Sequence, residues 1–143
     1  MYDIIFVCTG NTCRSPMAEA IAKDLMPNLS FASMGVAAAN GSPASENACR
    51  AMEAVGLDLS SHKSKMIDHK QLASAKLVLT MTGSHLSVVK LLCKKSNAYT
   101  LAGYVGEDRD ISDPFGGDLQ TYLDCASDIK LLVSMVANSS IGQ

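Results

Sequence analysis

The stretch YDIIFVC, Tyr2 to Cys8, is a nearly continuous β-branched and aromatic run, and it passes through one short loop into an amphipathic helical pattern. A run of that kind reads as a strand buried on both faces. Met17, Ala20, Ile21 and Leu25 give the following segment one apolar stripe, Pro16 sits where a first turn tolerates a missing N–H, and Ser15 is placed to cap it. Strand, loop and helix thus follow one another directly at the start of the chain.

The same alternation continues. Strands are expected at Ser30 to Gly35, Leu77 to Thr82 and Ala98 to Leu101. Helices are expected at Ser45 to Val55, Asp68 to Ala75, Ser84 to Cys93 and Leu119 to Ala137, with a polar connector from Asp58 to Lys65. A mostly parallel sheet wrapped by helices follows, with ligands bound beyond the carboxyl ends of its strands. A length of 143 residues suits one domain spanning 1–143. One connection is too long to be ordinary: GYVGEDRDISDPFGGD, Gly103 to Asp118.

A net charge of −2, spread without a basic run, gives no field to attract nucleic acid or an anionic membrane. The longest apolar runs are too short to cross a bilayer. Five cysteines at irregular positions, with no secretory leader in view, fit a reducing compartment, and the expected location is cytoplasmic.

The chemistry concentrates in VCTGNTCRS, Val7 to Ser15. Cys8 ends the first strand and faces a loop whose amides can converge ahead of a helix. Oriented N–H groups, a helix N-terminus and a neighbouring guanidinium all favour a thiolate, which makes Cys8 a candidate nucleophile. The same cradle suits a tetrahedral dianion. Gly10 permits close backbone approach, Asn11 tolerates a left-handed conformation, and Arg14 offers a planar fork to two phosphoryl oxygens, while Ser15 can donate to the sulfur. A nucleotide loop is a weaker fit, because only one glycine is present and the lysine is missing. Displacement at phosphorus also needs an acid for the leaving group. Asp108, Asp110, Asp113 and Asp118 all lie in the long loop, and Asp113 stands apart because Pro114 holds it extended and Phe115, a large apolar side chain in a polar loop, could wall a pocket.

The string CTGNTCRSP resembles the signature of low-molecular-weight protein tyrosine phosphatases, and matching features run over essentially the whole chain. The resemblance implies a four-stranded parallel sheet in a three-layer fold, helices on both faces, and no cofactor or metal. It implies that Cys8 attacks phosphorus and that Arg14 and the loop Thr9, Gly10, Asn11, Thr12, Cys13, Arg14 and Ser15 bind the phosphoryl group. By the same resemblance Ser15 helps the thiolate depart, and Asp113, in an Asp-Pro-aromatic motif, protonates the leaving group and then activates water.

Thr12 resembles the bacterial protein arginine phosphatases, where phosphotyrosine enzymes of the family commonly carry a bulky aliphatic residue. DPFGG and the ring-free GVAAANG, Gly35 to Gly41, lean the same way. The expected substrates are therefore phosphoarginine proteins, with Thr12 and Phe115 setting specificity. Phosphotyrosine is the alternative, and the protein is expected to be a monomer. Arsenate reduction would need further shuttling thiols, and a purely phosphate-binding module would lack an acid at Asp113.

Cys13, so near Cys8, suggests a reversible disulfide that shields the nucleophile. Cys49, Cys93 and Cys125 read as core, as do Met52, Met66 and Met135. His62, His69 and His85 show no metal-ligand spacing and read as structural or solvated.

Overall fold

Side chains along Ile4–Cys8, strand β1, alternate between two apolar clusters: Ile4, Phe6 and Cys8 join one, Ile5 and Val7 the other. The computed structural model, which describes residues 1–143, shows what lies on each side. Against Ile4 and Phe6 pack α1 (Arg14–Leu25), α2 (Glu46–Glu53) and α6 (Leu119–Ala137), through Met17 and Ile21, Met52, and Ile129 and Val133. Against Ile5 and Val7 pack α3 (His69–Ser74) and α4 (Gly83–Leu92), through Leu72 and Val89. Each fully buried side chain of this size contributes roughly 1.5–3 kcal/mol to the fold. Phe6 also pairs with Phe31, their ring centroids 6.2 Å apart.

The sheet has four strands, all parallel, in the order β2-β1-β3-β4, with β2 at Phe31–Gly35, β3 at Leu77–Thr80 and β4 at Ala98–Thr100. The expected single-domain three-layer α/β fold is therefore what the chain adopts. Because the chain leaves β1 towards β2 and later returns to place β3 on the other side, the loops after β1 and β3 part company at the centre of the sheet. That divergence opens the crevice in which sheets of this class bind ligands.

Several local expectations need correction. Helix α1 begins at Arg14, with Cys13 in the N-cap position and no side-chain cap, so Ser15 is not the cap. The Ser15 hydroxyl is occupied by Cys8 and Asn11 instead. Strand β3 stops at Thr80, because Thr82 turns to accept the His85 amide and caps α4. The stretch expected to be loop from Gly103 onward starts inside a short helix, α5 (Leu101–Tyr104), whose cap Thr100 accepts the Gly103 N–H. Asp118 is the N-cap of α6, its carboxylate accepting from Thr121. Met52 is core, but Met66 and Met135 are not: Met66 bridges to Gly35 at the sheet edge, and Met135 shares the exposed outer stripe of α6 with Leu131. Cys49 is only half-buried.

Candidate active site

Between β1 and α1, Thr9, Asn11 and Thr12 turn their carbonyls to the surrounding protein. Thr9 O accepts from Ala37 N at 2.9 Å and Thr12 O from Ser45 N at 2.9 Å, while Asn11 O lies 2.7 Å from His62 Nε2. No turn or loop backbone bond uses an amide from Thr9 to Ser15 as donor. With the Thr9, Asn11 and Thr12 oxygens held by the surrounding protein, the N–H groups of the loop are left without a protein acceptor, as an anion nest requires.

Asn11 makes the turn possible. Its φ of 57° is the chain's one positive value outside glycine, a conformation that asparagine tolerates better than most residues. Its buried side chain has every partner it needs: Nδ2 donates to Ser15 Oγ and Ser33 Oγ, both at 2.9 Å, and Oδ1 accepts from Lys65 N at 2.8 Å. Ser33 continues to Glu19 Oε1 at 2.7 Å, which ties the loop to α1 and β2. Gly35 completes the support by absence of a side chain, since a Cβ there would come within 2.5 Å of Thr9 O and 2.9 Å of Asn11 N. No comparable crowding surrounds Gly10, whose added Cβ would meet nothing nearer than Thr12 Oγ1 at 3.7 Å.

Cys8 Sγ lies 2.8 Å from Ser15 Oγ and is 3% exposed. Arg14 is 4% exposed, and its guanidinium spans the space between loops: Nη1 donates to Ile111 O at 2.9 Å and Nη2 lies 3.6 Å from Asp113 Oδ2. Asp113 Oδ1 also accepts the Phe115 N–H at 3.1 Å. Arg14 and Asp113 border a cleft of about 290 Å³, lined also by Thr9, Gly10, Thr12, Cys13 and Phe115, with the buried Cys8 at the end of β1 just before the first of these lining residues. The structure thus brings together the sequence-predicted loop, the guanidinium, Asp113 and Phe115. Phe115 forms rim rather than wall, being 81% exposed. Larger concavities, such as one of about 370 Å³ beside Lys23 and Asp58 and one of about 600 Å³ beside Glu107 and Arg109, gather no thiol with a cation and free amides.

Two histidines read from sequence as structural or solvated brace the loop from either side. His62 meets Asn11 O, and His85 Nε2 lies 2.8 Å from Thr9 Oγ1 while its Nδ1 lies 3.0 Å from Thr82 Oγ1. Burial, reinforced by the Arg14 charge, pulls the His85 pKa down to about 4 from an ordinary 6.5. The folded value lies below the unfolded one, so between them the unfolded chain binds more protons. Stability from this group is complete above 6.5 and falls as the pH drops towards 4. Melts across that window are expected to lose on the order of 2 kcal/mol more in the wild type than in His85→Asn, after a discount for solvent screening. Equal losses in the two proteins would remove His85 from the explanation.

All five cysteines are free thiols. Cys13 turns its sulfur to Ser45 Oγ at 3.3 Å and Tyr122 OH at 3.4 Å. Burial pushes the Cys125 thiol up to about 12, leaving it protonated at neutral pH. Cys93 lies in the cluster on the opposite side of the sheet from Cys8. Ser33, Ser45, Tyr122 and the two bracing histidines escape sequence reasoning because each reaches the loop from a distant part of the chain. Only a histidine in the polar connector after Asp58 and another just after β3 hint at them.

Comparison with known proteins agrees with this geometry. The family model described as low molecular weight phosphotyrosine protein phosphatase matches residues 3–140. The low molecular weight protein-tyrosine-phosphatase PtpB of Staphylococcus epidermidis is 39% identical over 134 residues, covering 93% of this chain and 95% of that protein. A protein-arginine-phosphatase of Geobacillus stearothermophilus is 37% identical over 140 residues, covering 95% and 94%. The solved structure of the YwlE arginine phosphatase from Geobacillus stearothermophilus superposes with a TM-score of 0.91 at 36% identity, covering 96% of this chain and 92% of that one. With the thiol, the guanidinium and the nest of free amides already gathered at the end of β1, the chain belongs to the low molecular weight phosphotyrosine protein phosphatase family.

Proposed function

We propose that this protein, acting as one phosphatase domain over 1–143, hydrolyses phosphoarginine in proteins through a phosphocysteine intermediate. The observation that carries the phosphatase reading is the nest: seven successive amides with no protein acceptor, above a thiol and beside a buried guanidinium. The Cys8 thiolate attacks phosphorus in line, forming the P–S bond as the P–N bond breaks. Asp113 gives its proton to the departing guanidine nitrogen. Arg14 and the loop amides hold the equatorial oxygens as charge spreads over them. Asp113, now a carboxylate, takes a proton from water, whose oxygen attacks phosphorus and breaks the P–S bond. Ser15 donates to the leaving sulfur, and arginine and inorganic phosphate are released.

Phosphoarginine is favoured over phosphotyrosine by Thr12. It lies in the cleft lining, where Phe115 is the sole aromatic and stands at the exposed rim. A phenol ring finds little to stack against, whereas the Thr12 hydroxyl offers a polar partner to a guanidinium. The likeness to the Geobacillus protein-arginine-phosphatase supports the same reading. The name of the Staphylococcus relative favours phosphotyrosine as the second reading. Thr12→Ile is expected to lower the ratio of kcat/KM for phosphoarginine over phosphotyrosine at least about tenfold. Side-by-side assays giving an unchanged ratio would show that Thr12 is not the selector.

The proposed setting is the cytoplasm, with phosphorylated proteins as partners of a monomer; no helix of the chain is long and apolar enough to cross a membrane. A reversible Cys8–Cys13 disulfide, formed when a peroxide takes the two electrons and both thiol protons and leaves as water, belongs to the same reading, and its formation would break the Cys13 contacts with Ser45 and Tyr122.

A further inference from the structure

Asp113 is not fixed by its own contacts. Its side chain is 53% exposed, its link to Arg14 spans 3.6 Å, and its one hydrogen bond is to Phe115, itself on the exposed rim. The position of its carboxyl is therefore inherited from the residues just before it, and those are tied down one after another. Arg109 forks onto Asp128 of α6 at 2.9 and 2.8 Å. Asp110 Oδ1 accepts the N–H of Gly83 at 2.9 Å. Ile111 donates its N–H to Met81 O at 3.0 Å and accepts from Arg14 Nη1 at 2.9 Å.

Two of these ties, those of Asp110 and Ile111, end on the residues that follow β3, and the first ends on the opening residue of α4. That same turn carries His85, whose ring reaches Thr9 in the loop on the other side of the crevice. Four residues, Thr82 to His85, thus touch both the loop that follows Cys8 and the loop that bears Asp113. The Asp110 bond is also the stronger kind, a carboxylate on an amide at the N-terminus of a ten-residue helix.

We propose that the turn Thr82 to His85 is a positioning device that sets the acid-bearing loop against the phosphate nest, with the Gly83 amide holding Asp110 and His85 holding Thr9. Asp110 and His85 are then positioning residues, since neither borders the cleft. This inference rests on the reading of Asp113 as general acid. Proton transfer needs the acid within hydrogen-bond reach of the leaving atom, and a shift of about 1 Å is enough to cost roughly a hundredfold in rate.

Leaving-group dependence separates this role from a general loss of structure. Phenyl phosphate needs a proton on its departing oxygen, and dinitrophenyl phosphate hardly does. Because kcat/KM reports the formation of phosphocysteine, Asp110→Ala is expected to lower it at least about tenfold for phenyl phosphate while changing it less than about threefold for dinitrophenyl phosphate. Asp110→Asn, which keeps an acceptor oxygen, should retain the wild-type ratio of the two.

Gly83→Pro deletes the donor instead of the acceptor, at a first helical position that suits proline and after a residue already extended at φ −139° and ψ 165°. It should reproduce the Asp110→Ala signature. His85→Ala, acting on the nest, should lower both substrates together and weaken competitive inhibition by inorganic phosphate. Equal losses on both substrates in Asp110→Ala and Gly83→Pro, no loss in either, or unweakened phosphate inhibition in His85→Ala would overturn the proposal. Failure of the underlying reading has a different mark: Asp113→Asn itself would leave the ratio of the two substrates at its wild-type value.

Discussion

Cys8→Ser is expected to reduce turnover by on the order of 10⁴-fold or more, while inorganic phosphate still binds. The loss follows from the proposed role of Cys8 as nucleophile. A serine hydroxyl is far harder to ionise than a thiol, and no general base stands beside this position: its close neighbour is the Ser15 hydroxyl at 2.8 Å. Binding survives because it rests on other atoms. The amides of Thr9 to Ser15 and the Arg14 fork are untouched, and the loop is shaped by Asn11, whose partners do not include Cys8. Steady-state assays with phosphoarginine, paired with calorimetric titration of phosphate, read both halves. A variant that keeps most of its turnover would remove Cys8 from the chemistry. One that loses phosphate binding as well would show that the thiol shapes the nest.

Asp113→Asn is expected to lower kcat/KM by about 10²- to 10⁴-fold on phosphoarginine. The substitution is nearly isosteric. Its oxygen can still accept the Phe115 N–H, so the loop keeps its form. What disappears is the carboxyl, 3.6 Å from Arg14, that carries the transferable proton in the proposed mechanism. The guanidine nitrogen then has to leave without proton donation. The second half-reaction suffers too, because an amide cannot take a proton from the attacking water, so the phosphocysteine should persist longer. A variant with near wild-type kcat/KM on phosphoarginine would pass the acid role to another residue of the long loop.

Much of this site is legible in the sequence because it is local. From Cys8 to Ser15, strand end, turn residue, cation and hydroxyl lie within one loop, and the asparagine at position 11 foretells the left-handed conformation that the backbone adopts there. The sheet is legible for a similar reason: β1 is a β-branched and aromatic run buried on both faces, and further short strand segments alternate with helical stripes. What holds the loop in shape is different. His62 and His85 reach it from 51 and 76 residues away, and a polar connector or helix start carries no mark of what it will touch. Ser15 illustrates a competition between local signals. As a cap it suits the start of a helix, but the hydroxyl is worth more to Cys8 and Asn11, so the helix begins at Arg14 without one. Met66 and Met135 mislead because an apolar side chain says nothing about which side of its element faces outward.

The most direct test of the account is to quench Asp113→Asn during turnover of dinitrophenyl phosphate and locate the phosphoryl group by peptide mass spectrometry. Formation of the intermediate is then fast and its hydrolysis slow, so one phosphoryl group per chain is expected, on the peptide that carries Cys8. Phosphate found on another residue, or turnover with no phosphorylated peptide at any time, would contradict it.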